Sequence, residues 1–324
     1  MKHTIHCSLL ICLAALLSCN RSSSGNASQT VAEKHGQLSV RGAALVDKNG
    51  APVVLRGVSF GWHNWWPRFY AKETVAWLAS DWNATLLRAA IGVEPDGAYL
   101  SDSAQAMKCL TAVVDAAIEL GVYVIIDWHA HYIHTDKAKA FFAQVAGKYK
   151  DAPNVIYEIF NEPWDDMPWS EVKAYSEAVI QTIRAIDKDN IILVGSPHWD
   201  QDVHVVADDP ITGYDNIMYT LHFYAASHKQ WLRDRADYAL GKNLPIFVSE
   251  CAGMESSGDA AINLDEWRRY LQWMQQNNLS WVAWSISDKD ETCSMVASPA
   301  SPASGWQDSD LKAWGKIVKQ TLNQ

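Results

Sequence analysis

Short apolar runs separated by amphipathic stretches recur along most of this chain. The runs are Val54–Phe60, Thr85–Ala90, Val122–Asp127, Val155–Phe160, Ile191–Gly195, Ile217–His222, Ile246–Glu250 and Trp281–Ile286. Each has the length of a buried strand and is too short for a packed helix. Between them the apolar residues recur at three- and four-residue spacing, which predicts helices over Glu73–Asp81, Ala104–Leu120, Lys137–Tyr149, Ser170–Ile186, Gln230–Leu240 and Leu264–Gln276. Leu311–Leu322 closes the series, and Gln201–Ala207 makes at most a short helix. Strands that alternate with helices pair in parallel, because the crossover carries each strand back to the same end. Eight such units in about 290 residues predict a (β/α)8 TIM barrel. The rival, a doubly wound open sheet, would carry a Gly-rich phosphate turn after a strand, and none is found. Ahead of the barrel, Leu38–Val46 and Val53–Phe60 flank Asp47-Lys48-Asn49-Gly50. Asn-Gly favours the positive φ of a tight turn, so an N-terminal β-hairpin is expected.

The first residues follow a different pattern. Lys2 precedes the apolar stretch from Leu9 to Leu17, which ends at Ser18-Cys19. So short a stretch falls well below the ~20 residues that a membrane-crossing helix needs, and reads as a secretory signal. Leu16-Leu17-Ser18-Cys19 resembles a bacterial lipobox. Residues 1–18 are therefore expected to be a lipoprotein-type signal peptide, Cys19 the lipidated residue, 19–36 a polar flexible tether and 37–324 one barrel domain. The protein is then exported and held at the cell envelope through this anchor, or otherwise secreted. A mature chain that stays in solution with Cys19 intact would count against the anchor. Cys109, Cys251 and Cys293 remain, enough for one bridge at most. Cys109 sits in a helical pattern as a small apolar residue. Cys251 and Cys293 fall in late loops that a barrel makes neighbours, so either a disulfide or two free thiols fits an exported chain.

Composition narrows the chemistry. The 37 acidic residues against 27 basic give a formal charge of −10, which argues against a nucleic-acid backbone as ligand. The 16 tryptophans outnumber both the 12 tyrosines and the 7 phenylalanines, so aromatic surface is available for a core or for ligand stacking. In a barrel the active site stands at the C-terminal ends of the strands. Reading the runs to those ends gives Arg88, Asp127-Trp128-His129, Asn161-Glu162-Pro163, His222-Phe223-Tyr224, Glu250 and Trp284-Ser285. Polar and aromatic groups thus gather at one rim. Glu162 and Glu250 each end a run and would face one another across the mouth. Two facing carboxylates in unlike surroundings are what glycosidic cleavage needs, one protonated and one ionised. The plain alternative for either is an ion pair with a neighbouring cation.

These segments together resemble glycoside hydrolase family 5, the old cellulase family A, in its bacterial endo-β-1,4-glucanase branch. The likeness rests on Asn161-Glu162-Pro163 after the run Val155–Phe160, on Ile125-Ile126-Asp127-Trp128-His129, on Leu221-His222-Phe223-Tyr224 and on Val248-Ser249-Glu250. It continues through Trp284-Ser285-Ile286-Ser287-Asp288-Lys289-Asp290-Glu291 and covers nearly everything from Leu38 onward. The resemblance implies a retaining double displacement, with Glu162 as acid/base and Glu250 as nucleophile. It implies that Arg88 and Tyr224 stabilise ionised Glu250, leaving the proton on Glu162. Asn161 would bind the sugar 2-hydroxyl, His129 and His222 would orient the acid and the hydroxyls, Trp284 would floor the cleft, and Trp65 would stack further along. Lys289 and Glu291 would bind the next sugar, or merely pair with each other.

Two departures stand out. Where many relatives have a His after the first strand this chain has Gly61, and His63 is the substitute on offer. After the nucleophile, Cys251-Ala252-Gly253 replaces the usual Trp-Gly. The implied protein is a monomer that needs no cofactor and no metal and acts on a β-glucan chain. β-Mannan, xyloglucan and mixed-linkage β-glucan are alternatives under the same mechanism. A metal-dependent barrel hydrolase would use His129, His131, His134 and His222 as ligands. A non-catalytic glycan-binding lipoprotein would keep the tryptophans but has no use for both glutamates.

Overall fold

The structure, a computed structural model, describes Met1 and residues 29–324; Cys19 and most of the leader fall outside the described residues. Two short strands, β1 (Ser39–Arg41) and β2 (Ala44–Val46), form an antiparallel ribbon. Eight further strands follow: β3 (Arg56–Phe60), β4 (Leu86–Gly92), β5 (Tyr123–His129), β6 (Val155–Glu158), β7 (Ile192–Val194), β8 (Ile217–Tyr224), β9 (Ile246–Ala252) and β10 (Trp281–Ile286). They close a parallel barrel in chain order, with β10 returning to pair with β3. All eight apolar runs become barrel strands, and the eight helical patterns become the helices around them, displaced by no more than a few residues.

The ribbon differs from the expected hairpin. Leu38–Val46 folds back on itself at Gly42, whose φ of 61° suits a residue without Cβ. The Asn49-Gly50 turn does form, but it joins β2 only to a single bridge between Val46 and Pro52. The tether reading also needs correction. Val31–His35 is a helix closed by a capping box between Thr30 and Glu33, and its Ala32 amide donates to the Gly121 carbonyl. The ordered domain therefore begins before residue 37.

Side chains alternate between the two faces of each strand, which separates two cores. Toward the helices, one apolar layer includes Trp82, Trp128, Phe141, Trp267 and Trp314. Inside the barrel, Leu86, Ile125, Ile156, Leu193, Met218, Phe247 and Val282 pack against Leu38, Leu45, Val53 and Leu55 of the N-terminal segment. The ribbon thus plugs the bottom. Further up the same inward positions turn polar: Arg88 follows Leu86, Asp127 follows Ile125, and Glu158 follows Ile156. Strand β9 adds a bulge. Thr220 pairs with Phe247 but His222 pairs with Glu250, so three residues of β9 oppose two of β8. That extra residue reverses the alternation and turns Glu250 inward.

Candidate active site

Arg88 is the fixed charge at the centre of the rim. It is fully buried, and its guanidinium donates to Glu158 (2.7 and 3.2 Å), Glu250 (2.9 Å) and Asn161 Oδ1 (2.6 Å). Asp127 lies 3.0 Å away on the remaining side. A buried guanidinium must be paired on every edge, and the strand ends supply that pairing. Burial weighs against the charge on Arg88, but Asp127, Glu158 and Glu250 more than restore it and raise its pKa further. Burial likewise opposes ionisation of Glu158, yet Arg88 brings it down to about 2.

Glu250 accepts from Arg88 and, at 2.6 Å, from the Tyr224 hydroxyl. Both contacts were expected from the sequence. Glu162 accepts from His222 Nδ1 at 3.0 Å and is partly open to the cleft. One oxygen of Glu162 and one of Glu250 lie within 4.8 Å of each other. Burial and the charge of Glu162 push Glu250 above the ordinary carboxylate range, against the pull of His222, Arg88 and Tyr224. Burial acts the same way on Glu162, but the His222 hydrogen bond and charge override it and hold Glu162 low. Burial opposes the charge on His222, but Asp200, Glu158, Glu162 and Glu250 favour it and raise its pKa well above the usual range, and its Nδ1 stands one hydrogen bond from Glu162.

The other rim residues divide. Asn161 keeps its side-chain oxygen on Arg88, while its Nδ2 is buried without a partner among the described residues and is free to donate to a ligand hydroxyl. His129 is held by Asp127 at 2.6 Å and stacks on Trp284 at 5.2 Å; burial, then Arg88, keeps it neutral. Trp284, whose peptide bond to Ser285 is cis, lies in the cleft wall with Trp62, Trp65 and Trp66. Trp65 is 53% exposed at the edge, as a stacking residue would be. Lys289 and Glu291 line the same wall and pair with each other at 2.5 Å.

His63 does not belong to the cleft. It is fully buried, accepts from the Gly92 amide at 3.1 Å, and burial lowers its pKa to about 4. Nor is there room for a side chain at position 61, because a Cβ on Gly61 would meet Trp66 at 2.8 Å. The Cys251–Cys293 bridge is absent too. Cys251 donates to the Val282 carbonyl, Cys293 faces the cleft beside Glu291, and all three described cysteines are free thiols. The histidines of the metal reading do not converge, since His134 pairs with Glu94 and His129 with Asp127. Glu162, His222 and Glu250 do cluster, but the hydrogen bonds above already engage their facing atoms.

Several residues hold places that the sequence reading did not assign them, His131 having been named there only as a metal ligand. His131 lies 3.9 Å from Glu162, and Trp62 packs edge-on against His129 at 4.3 Å. Beyond Glu162 the cleft continues past Trp199, Gln201 and His228. Glu158 did leave a signal: it is the one charge inside the run Val155–Phe160, and a charge there must have a buried partner.

Known proteins agree with this geometry. A family model described as cellulase (glycosyl hydrolase family 5) matches residues 46–290. Endoglucanase 5 of Pectobacterium carotovorum subsp. carotovorum is 41% identical over 301 residues, which cover 91% of this chain and 59% of that protein. The chain thus spans less than two thirds of the length of that relative. A structure from Cytophaga hutchinsonii superposes with a TM-score of 0.89 at 42% identity, covering 91% of this chain and 97% of that one. The catalytic domain of Thermobifida fusca endoglucanase Cel5A (E5), in a variant complexed with cellotetraose, gives a TM-score of 0.84 at 30% identity and covers 91% and 100% of the two chains. With the paired carboxylates, their Arg88 and Tyr224 partners and the match over most of its length, this chain belongs to the cellulase family, glycosyl hydrolase family 5.

Proposed function

We propose that the protein is a retaining endo-β-1,4-glucanase. The observation that carries this reading is that one oxygen of Glu162 lies within 4.8 Å of one of Glu250, which suits the close carboxyl pair of retention, about 5–5.5 Å apart, better than the roughly 6.5–9.5 Å of inversion. In the first step Glu250 attacks the anomeric carbon while Glu162, supplied with a proton from His222, protonates the departing glycosidic oxygen. The anomeric carbon–oxygen bond breaks and a glycosyl ester on Glu250 forms. In the second step Glu162 takes a proton from water, the water oxygen attacks the anomeric carbon, and the ester bond to Glu250 breaks. The Asn161 amide is placed to hold the sugar 2-hydroxyl, a contact that tightens as positive charge develops on the ring.

Endo action is supported by a cleft that runs on both sides of Glu162, from the Trp62, Trp65 and Trp66 wall to Trp199 and His228. A β-glucan chain is the substrate this reading implies, and the name of the Pectobacterium relative points the same way. Reducing-end release from carboxymethylcellulose, run beside β-mannan, xyloglucan and mixed-linkage β-glucan, tests it. Fastest release from the cellulose derivative is expected. Release from mannan alone would keep the chemistry and move the substrate.

A further inference from the structure

We propose that Asp200 is a positioning residue for Glu162, acting through His222: its carboxylate stands 3.3 Å from Nε2, on the far edge of the ring from Glu162, and its negative charge favours the protonated imidazole whose Nδ1 donates to Glu162. The proposal rests on the glycosidase reading of this site but concerns a carboxylate that the two-step chemistry does not itself use.

Asp200 is fully buried and comes from the loop after β7, a segment with no role in the mechanism so far. Its Oδ1 accepts the Ser196 amide at 2.5 Å. Its Oδ2 has no hydrogen bond among the described residues, yet lies 3.3 Å from His222 Nε2. The Nε2 hydrogen itself is directed at Ser249 Oγ, 2.9 Å away, so Asp200 acts on the ring as a charge at ion-pair distance. On the opposite edge of the same ring, Nδ1 reaches Glu162 at 3.0 Å. The imidazole therefore stands between the two carboxylates.

The backbone is bent to make this possible. His198, Trp199 and Asp200 all take left-handed angles, with φ of 59°, 52° and 61°. Three such residues in succession are unfavourable for side chains with Cβ, and strain of this kind persists where the surroundings enforce it. Here the Trp199 amide is tied to the carbonyl of Pro163, the residue after Glu162. The turn that carries Asp200 is thus pinned to the loop that carries the acid/base.

Among the described residues several charged groups surround His222, Asp127 acting on it from beyond Arg88. Glu158 lies 3.7 Å from Nε2 on the β6 side, Glu162 is on Nδ1, and Glu250 faces it from β9. Ser249 Oγ, on Nε2 at 2.9 Å, carries no charge. Among the nearby bases, burial holds His129 well below its usual range and lowers His228 to about 4, so both are neutral, and Arg88 is taken up by its own carboxylates. Burial opposes ionisation of Asp200, and the charge of His222 favours it.

The sign of the effect follows. A negative group beside His222 favours its protonated form, so the His222–Glu162 pair keeps its proton to higher pH. Asp200→Asn removes that charge. It keeps an acceptor for the Ser196 amide and a residue type that tolerates left-handed backbone. The alkaline limb of kcat/KM, which reports the acid in the free enzyme, is expected to move down by about one pH unit, with the melting temperature little changed. A loss of stability with the limb unmoved would overturn the proposal. Should the variant fail to fold, the imidazole ¹⁵N spectrum of the unaltered protein decides instead. Both ring nitrogens protonated up to the alkaline limb is expected; a His222 ring already neutral at pH 7 would overturn it. That spectrum is informative even if no glucan is cleaved, so failure of the glucanase reading and failure of this proposal are separable.

Discussion

Replacing Glu250 by Gln is expected to lower kcat on carboxymethylcellulose by roughly 10⁴-fold or more while leaving glucan binding and folding intact. The amide is nearly isosteric, and its oxygen can still accept the Tyr224 hydroxyl that now reaches Glu250 at 2.6 Å. It cannot attack the anomeric carbon. The amide also relieves the repulsion between Glu250 and Glu162, and burial that raises an ionised carboxyl costs a neutral amide little. Turnover and affinity therefore separate, which affinity electrophoresis in the glucan beside a reducing-end assay would read. Retention of more than about a tenth of the turnover would remove Glu250 from the nucleophile position.

The second large effect is on Arg88. Arg88→Met keeps the length of the side chain and removes its charge, leaving Asp127, Glu158 and Glu250 to share a closed space without a cation. Breaking a buried ion pair from one side costs about 3–5 kcal/mol, which in a domain of this size lowers the melting temperature by on the order of 10 °C. The carboxylates would respond by taking up protons, and a protonated Glu250 is no nucleophile. Stability and kcat should therefore fall together. Lys72→Met is the control: its pair with Glu119 is exposed on both sides, so no measurable change is expected. A stable Arg88→Met protein with ordinary turnover would show that Arg88 neither holds the rim together nor ionises Glu250.

The barrel could be read from the sequence because its information is periodic. Each run from Val54–Phe60 to Trp281–Ile286 is short and apolar, each intervening segment repeats at helical spacing, and eight repeats leave few other architectures. Six of the strand-end groups were legible for a related reason. Arg88, His129, Asn161, Glu162, His222 and Glu250 are polar where the pattern demands apolar residues, and burial makes such exceptions informative. What the sequence hid depends on register and on loops. The β9 bulge that turns Glu250 inward has no compositional mark. Neither does the left-handed turn that brings Asp200 under His222, since its residues are ordinary ones held in an unusual conformation. His63 misled because a His two residues from an expected position still faces the wrong way. Gly61 leaves its space to Trp66 instead. For Cys251 and Cys293 the sequence left a bridge and two free thiols open, because nearness in a barrel does not fix which way a thiol faces.

The measurement that tests the central account most directly is the anomeric form of the first product. Short cellodextrins would be cleaved in an NMR tube and the new reducing end followed before mutarotation sets in. With one oxygen of Glu162 within 4.8 Å of one of Glu250, the β-anomer should appear first and the α-anomer only later. Initial appearance of the α-anomer would mean inversion and would contradict the assignment of Glu250 as a nucleophile.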